Sequence, residues 1–188
     1  MARGIRSLAA SLLAATILLA GCSGPAAAPP APERAAPDAG IQLFQLPWNS
    51  IADECENTLG PNGIAWVLTS PPQEHIISDE WWVSYQPVSY QLESRLGTRQ
   101  EFAEMVTRCG SAGVDVIADA VINHMTGQDA PGTGWVGSAY EHYEYPGLYT
   151  DTDFHHCGLI GNDDIADYDS AAQVQTCELV NLADLDTA

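Results

Sequence analysis

Val114-Asp115-Val116-Ile117-Ala118-Asp119-Ala120-Val121-Ile122 is apolar at seven of nine positions and runs straight into Asn123-His124. A near-continuous apolar run of this length, without alternation, is how a strand of a parallel sheet buried on both faces reads. Working outward, Gly113 closes the preceding element. That element carries Phe102, Met105, Val106 and Cys109 at i, i+3, i+4, i+7, one face of a helix. Thr98 with Glu101 three residues on forms a capping box at its start. Further upstream, Ile64 to Leu68 reads as a second strand and Ile41 to Leu46 as a first. Between them, Ser50 with Asp53 predicts the start of a helix that ends near Gly60. Strands alternating with helices predict an α/β fold with a parallel sheet.

The connections are uneven. Residues 69–97 form a loop dense in Trp, Tyr, Pro and Gln after the second strand, and a longer Gly/Asp/Tyr-rich excursion follows the third. Long loops without strong secondary structure are usually functional, and both leave the C-terminal ends of strands, where parallel α/β barrels place their sites. The 188 residues are fewer than the ~250 of a complete barrel of that kind.

Charge narrows the partners. The chain has 25 Asp+Glu against six Lys+Arg, a net charge of −19, and every basic residue is an arginine. Nothing basic follows Arg108, while 14 Asp+Glu do. Phosphate neutralisation needs Lys and Arg, so nucleic acid is excluded as a partner. The acidic stretch is either a solvated surface or, in part, a cation site.

The first 39 residues stand apart. Arg3 and Arg6 precede an uncharged apolar run from Leu8 to Ala20, too short for a membrane span and suited to a signal peptide. Leu19-Ala20-Gly21-Cys22 resembles a bacterial lipobox, so residues 1–21 are expected to be a lipoprotein signal peptide and Cys22 the lipidated residue. Residues 22–39, rich in Ala and Pro, read as a tether that builds no core. The expected location is extracellular or cell-surface, with membrane contact only through the lipid anchor.

Export makes two disulfides the expected use of the remaining cysteines, Cys55, Cys109, Cys157 and Cys177. Three pairings exist. Cys55 shares a helical face with Ile51 and Leu59, and Cys109 faces inward from the next helix, so those two are expected to join. Cys157 and Cys177 bracket an acidic loop poor in apolar residues, whose closure would contribute roughly 3 kcal/mol. Zinc is the rival reading, but no CxxC spacing supports it.

One ordered set of motifs goes further. Pro47-Trp48-Asn49-Ser50-Ile51, Gly60-Pro61, Thr69-Ser70-Pro71-Pro72-Gln73-Glu74-His75, Trp81-Trp82-Val83-Ser84-Tyr85-Gln86-Pro87-Val88-Ser89-Tyr90 and Asp119-Ala120-Val121-Ile122-Asn123-His124 stand in the order seen in α-amylases. The chain resembles the N-terminal part of an animal-like or actinobacterial α-amylase of glycoside hydrolase family thirteen. The resemblance implies the first three strands of a (β/α)8 TIM barrel over residues 40–123, then a loop-rich, calcium-binding excursion over 124–188.

It also implies roles. Trp82 and Tyr85 match aromatics that line sugar subsites, with Trp81 and Gln86 beside them; His124 matches a sugar-contacting histidine, and Tyr168 a substrate contact. Simple loop packing is the alternative for the rings, and a buried structural histidine for His124. Flat aromatics edged by polar groups are what a sugar needs, since its ring faces are apolar and its rim carries hydroxyls. Asn123, Gln175 and Asp184 match calcium ligands, Gln175 through its backbone carbonyl, and oxygen donors suit that ion. Relatives often carry Arg at the position of Gln175 and Trp at that of Leu46. Any chloride ligands would lie outside this chain. Asp119 matches a supporting carboxylate; the nucleophilic Asp and the acid/base Glu are expected beyond residue 188, so no catalytic group is assigned here. The implied activity is retaining endo-hydrolysis of α-1,4 bonds in starch or glycogen by a monomer. The alternative is a non-catalytic glucan-binding surface lipoprotein.

Overall fold

The computed structural model describes residues 38–187. Three parallel strands, β1 (Gly40–Leu43), β2 (Trp66–Thr69) and β3 (Asp115–Ala118), form one sheet in the order β1-β2-β3. Register is unbroken: Gly40 and Asp115 flank Trp66, and Leu43 and Ala118 flank Thr69. All three strands are shorter than their apolar runs. β3 ends at Ala118, level with the last residues of β1 and β2, and Asp119 to Ile122 leave the ladder. The expected burial on both faces is not met: in β2 Val67 and Thr69 are fully buried on one face while Trp66 and Leu68 on the other are only partly so, and Ile41 and Ile117 on the outer strands are exposed because each of those strands pairs on one side only.

Helix α1 (Trp48–Glu54) starts earlier than expected. Pro47 takes the cap position without a side-chain hydrogen bond, so Ser50 and Asp53 lie inside the helix and form no capping box. Proline suits the first turn because the missing N–H would have no partner there. The Trp48 N–H donates to the Leu96 carbonyl at 3.0 Å, and its ring meets Phe102 edge-on at 5.1 Å. Burying Trp48 thus sets the helix start. A π-helical turn (Cys55–Leu59) ends at Gly60. A Cβ on Gly60 would sit 2.5 Å from the Ala112 carbonyl oxygen, so only glycine allows this close approach.

Helix α2 (Arg99–Ser111) has the expected capping box: the Glu101 N–H donates to Thr98 Oγ1, and the Thr98 N–H to Glu101 Oε2. Gly113 follows in the left-handed region (φ 76°). Met105 and Cys109 are buried and Phe102 partly so, whereas Val106, expected on the same inward face, is exposed. Ile51, Cys55, Leu59, Val67, Met105 and Cys109 form the core between helices and sheet, and Leu46 packs against it. Both expected disulfides are present: Cys55–Cys109 joins the end of α1 to α2, and Cys157–Cys177 closes the acidic loop. Arg108 adds ion pairs from α2 to Asp53 and Glu56.

The excursion folds on a second cluster that includes Val83, Val88, Met125, Tyr145, Phe154 and Leu185. It contains a two-residue hairpin, β4 (Gly132–Thr133) with β5 (Ala139–Tyr140), and a short helix α3 (Ala171–Thr176). Glu74, fully buried, anchors it to the loop after β2. Glu74 Oε1 accepts from the Val136 and Ser138 N–H groups at 2.9 and 3.2 Å, and Oε2 from the Ser89 hydroxyl. Burial alone would raise this carboxyl's pKa, but those hydrogen bonds outweigh it and hold the group below the usual range. Among the described residues no helix is long and apolar enough to cross a membrane. The proposed signal peptide, Cys22 and nearly all of the tether lie outside the described residues.

Candidate sugar-binding rim and cation cavity

The C-terminal ends of the strands carry the rim. A single 3-10 turn (Trp81–Tyr85) follows β2 and presents Trp81 exposed and Trp82 half-buried against the second cluster. The Tyr85 hydroxyl donates to Asp119 Oδ2 at 3.0 Å. Burial, reinforced by the Asp119 carboxylate, pushes that phenol up to about 12, so it remains a donor across the neutral range. His124 Nε2 lies 2.9 Å from the Tyr85 carbonyl oxygen. A carbonyl only accepts, so Nε2 carries the hydrogen and Nδ1 is left for another partner. Tyr85, Asp119 and His124 therefore form one hydrogen-bonded unit across the ends of β2 and β3.

Gln86 is tied in differently. Its Oε1 accepts from Thr126 Oγ1 at 2.8 Å and from the Gly127 N–H at 2.6 Å, bracing the turn against the segment after β3. Its role toward the protein's own backbone was not legible in the sequence.

Residues 123–125 pair with 183–185. His124 bridges Asp184, the Met125 N–H donates to Ala183 O, and the Leu185 N–H to Asn123 O. This pairing brings distant expected ligands together: Asn123, Gln175 and Asp184 all line one cavity of about 500 Å³, with His124, Tyr168 and Cys177. Tyr168 is largely exposed. Asp184 Oδ2 is 2.8 Å from His155 Nδ1, and His155 Nε2 is 3.0 Å from Asp186 Oδ1. The hydrogen bond to Asp184 raises the His155 pKa against a smaller burial effect.

The donor set is chemically suited to a hard cation. Asn123 is exposed at the cavity's lining. Gln175 is the penultimate residue of α3, where a carbonyl has no partner within the helix. Carboxylate, amide and carbonyl oxygens are calcium donors. Among the described residues no three His, Cys, Asp or Glu side chains converge as a metal site. The cavity instead combines one carboxylate with amide and carbonyl oxygens.

One buried carboxylate escaped the sequence reading. Glu178 is fully buried, accepts from the Tyr143 hydroxyl at 2.8 Å and lies 3.3 Å from His142 Nε2. That contact raises the His142 pKa despite partial burial. In the sequence Glu178 is one acidic residue among many, and no local signal marks it as internal.

Three parallel strands with helical crossovers, with long loops leaving their C-terminal ends, are the arrangement of part of a (β/α)8 barrel. The chain is homologous to the α-amylases. It is 46% identical to an α-amylase of Thermomonospora curvata over 98% of its length, and 43% identical to one of Streptomyces violaceus over all of it. An α-amylase-related protein of Drosophila ananassae is 47% identical over 78% of the chain. The solved structure of a mutant α-amylase I from Eisenia fetida in complex with maltohexaose superposes with a TM-score of 0.75, at 38% identity over 80% of the chain. The chain spans about a third of the length of these relatives. No family model matches it.

Proposed function

We infer that this chain is part of an exported, lipid-anchored α-amylase that cleaves internal α-1,4 bonds of starch or glycogen with retention. The observation that carries this reading is the Tyr85–Asp119–His124 unit beside Trp81 and Trp82, in a chain homologous to a protein solved with maltohexaose. The aromatic faces would stack on sugar rings, and Gln86, His124 and Tyr168 would meet hydroxyls. Asp119 would hold Tyr85 in place. Titration of the purified chain with maltoheptaose, followed by tryptophan fluorescence, is expected to show saturable binding. Tyr85→Ala should weaken it by about tenfold, the equivalent of 1.4 kcal/mol. Equal affinity in wild type and variant would remove the rim from the binding site.

Calcium belongs to the same reading. Asn123, Asp184 and the Gln175 carbonyl would hold it, joining the end of β3 to the end of the excursion. A ligand bound only by the folded state stabilises by about 2.7 kcal/mol at a hundredfold excess over Kd. Calcium is therefore expected to raise the melting temperature by several degrees, a chelator to reverse this, and Asn123→Ala to weaken calcium binding by about tenfold or more. A melting temperature indifferent to calcium, chelator and mutation alike would refute the site.

A further inference from the structure

Residues 44–47 join β1 to α1, and within them Gln45 adopts the left-handed conformation with φ 56°. Side-chain-bearing residues rarely occupy that region, because the Cβ crowds the carbonyl that follows. A turn that had only to redirect the chain would be served best by glycine, which carries no such penalty, and next by asparagine. Glutamine has neither advantage, so its presence points to a use for the side chain. That use is internal. Gln45 Nε2 donates to Ser84 Oγ at 3.1 Å, and the Gln45 N–H donates to Ser70 Oγ at 2.8 Å. Both serines are fully buried.

Ser84 belongs to the 3-10 turn Trp81–Tyr85 and directly precedes Tyr85. Its carbonyl accepts from Nε2 of the buried Gln73 at 3.3 Å, so the residue is held by backbone and side chain alike. The start of the same turn is fastened separately, by Arg95 Nη1 donating to the Glu80 carbonyl at 2.8 Å. The Gln45 amide is what ties the turn to the end of β1. A buried hydroxyl left without its partner is costly, so losing that amide would favour a shift of Ser84 toward another partner. Tyr85 is one residue away, with its hydroxyl on Asp119 and its carbonyl on His124. A displacement at Ser84 would therefore reach both of those bonds, and small displacements of binding groups are expensive in affinity.

We propose that Gln45 is a positioning residue for the glucan-binding turn: its amide fixes Ser84 and so sets Trp82 and Tyr85 for the sugar, acting through Ser84 and not by contact with the glucan. The proposal rests on the glucan reading above.

The test is calorimetric titration of the full chain with maltoheptaose, at a temperature where circular dichroism shows every variant folded. The variants are Gln45→Gly, Gln45→Asn, Ser84→Ala and the Gln45→Gly/Ser84→Ala pair, and hydrogen exchange of residues 81–86 is followed alongside. Glycine relieves the backbone and asparagine tolerates it, but asparagine is one methylene too short to reach Ser84 and glycine has no side chain. Each single variant is expected to weaken binding by about three- to tenfold and to speed exchange at 81–86, with exchange in α2 unchanged. The pair should bind no more weakly than Gln45→Gly, because both changes remove the same bond. A merely structural role would move the melting temperature and leave the folded chain's affinity alone. Wild-type affinity in Gln45→Gly overturns the proposal, as do additive losses in the pair. Tyr85→Ala, run in parallel, separates the two readings. If it weakens binding and Gln45→Gly does not, only the Gln45 proposal fails. If the wild type binds no maltoheptaose, the glucan reading falls and takes this proposal with it.

Discussion

Purified protein of these 188 residues is expected to release no reducing sugar from soluble starch, even with calcium present. Retaining glycoside hydrolysis needs a nucleophilic carboxylate and an acid/base carboxyl about 5 Å apart across the scissile bond. The rim offers Asp119, and its Oδ2 is already engaged by the Tyr85 hydroxyl. In the proposed reading that carboxylate only holds Tyr85 in place. Losing one member of a catalytic pair typically costs roughly 10⁴-fold or more in rate, and losing both costs about as much as losing the more important one. In the proposed reading Trp82, Tyr85 and His124 supply binding, which cannot replace that chemistry. The measurement is reducing-sugar release compared with the Streptomyces violaceus α-amylase under the same conditions. Turnover within a hundredfold of that enzyme would show that a competent carboxyl pair lies within this chain.

Replacing Cys55 and Cys109 together by alanine should destabilise the fold by about 4 kcal/mol, the chain-entropy value for a cross-link of this span. The two cysteines lie 54 residues apart, so the bond restricts the unfolded chain strongly. Both are fully buried in the main core, so alanine also leaves space where sulfur packed. Arg108 would still bridge α2 to Asp53 and Glu56, but those pairs are at the surface and are weak substitutes. For a domain of this size 4 kcal/mol is a large part of total stability. Urea unfolding of oxidised wild type and double variant gives the difference directly. A loss below about 1 kcal/mol would show that helix packing, not the cross-link, fixes α1 against α2.

Most of this architecture was legible because local chemistry and tertiary packing agree. The Thr98–Glu101 box and Gly113 delimit α2 as read, and the inward faces of Cys55 and Cys109 identified their partnership. Where they disagree, packing prevails. Ser50 and Asp53 have capping-box spacing, but burying Trp48 under Leu96 moves the helix start to Pro47. The run from Val114 to Ile122 is apolar to its end, yet pairing stops at Ala118, in step with Thr69 of β2. The rim could be read from motif resemblance alone. The left-handed turn at Gln45 could not, because a left-handed glutamine has no sequence signature. Glu74 and Glu178 stayed hidden for a related reason: in a chain with 25 acidic residues, nothing local tells an internal carboxylate from a solvated one.

Among the described residues the two disulfides join the four cysteines in simple succession, first to second and third to fourth. In a polypeptide that reaches an oxidising compartment amino end first, each correct partner is also the next of these thiols to arrive. Cys55 and Cys109 can close around the first βαβαβ section before Cys157 exists to compete for either. The second bond then forms within a segment of its own, without crossing the first. Among these four residues, oxidative maturation along this route requires no bond to be broken and remade.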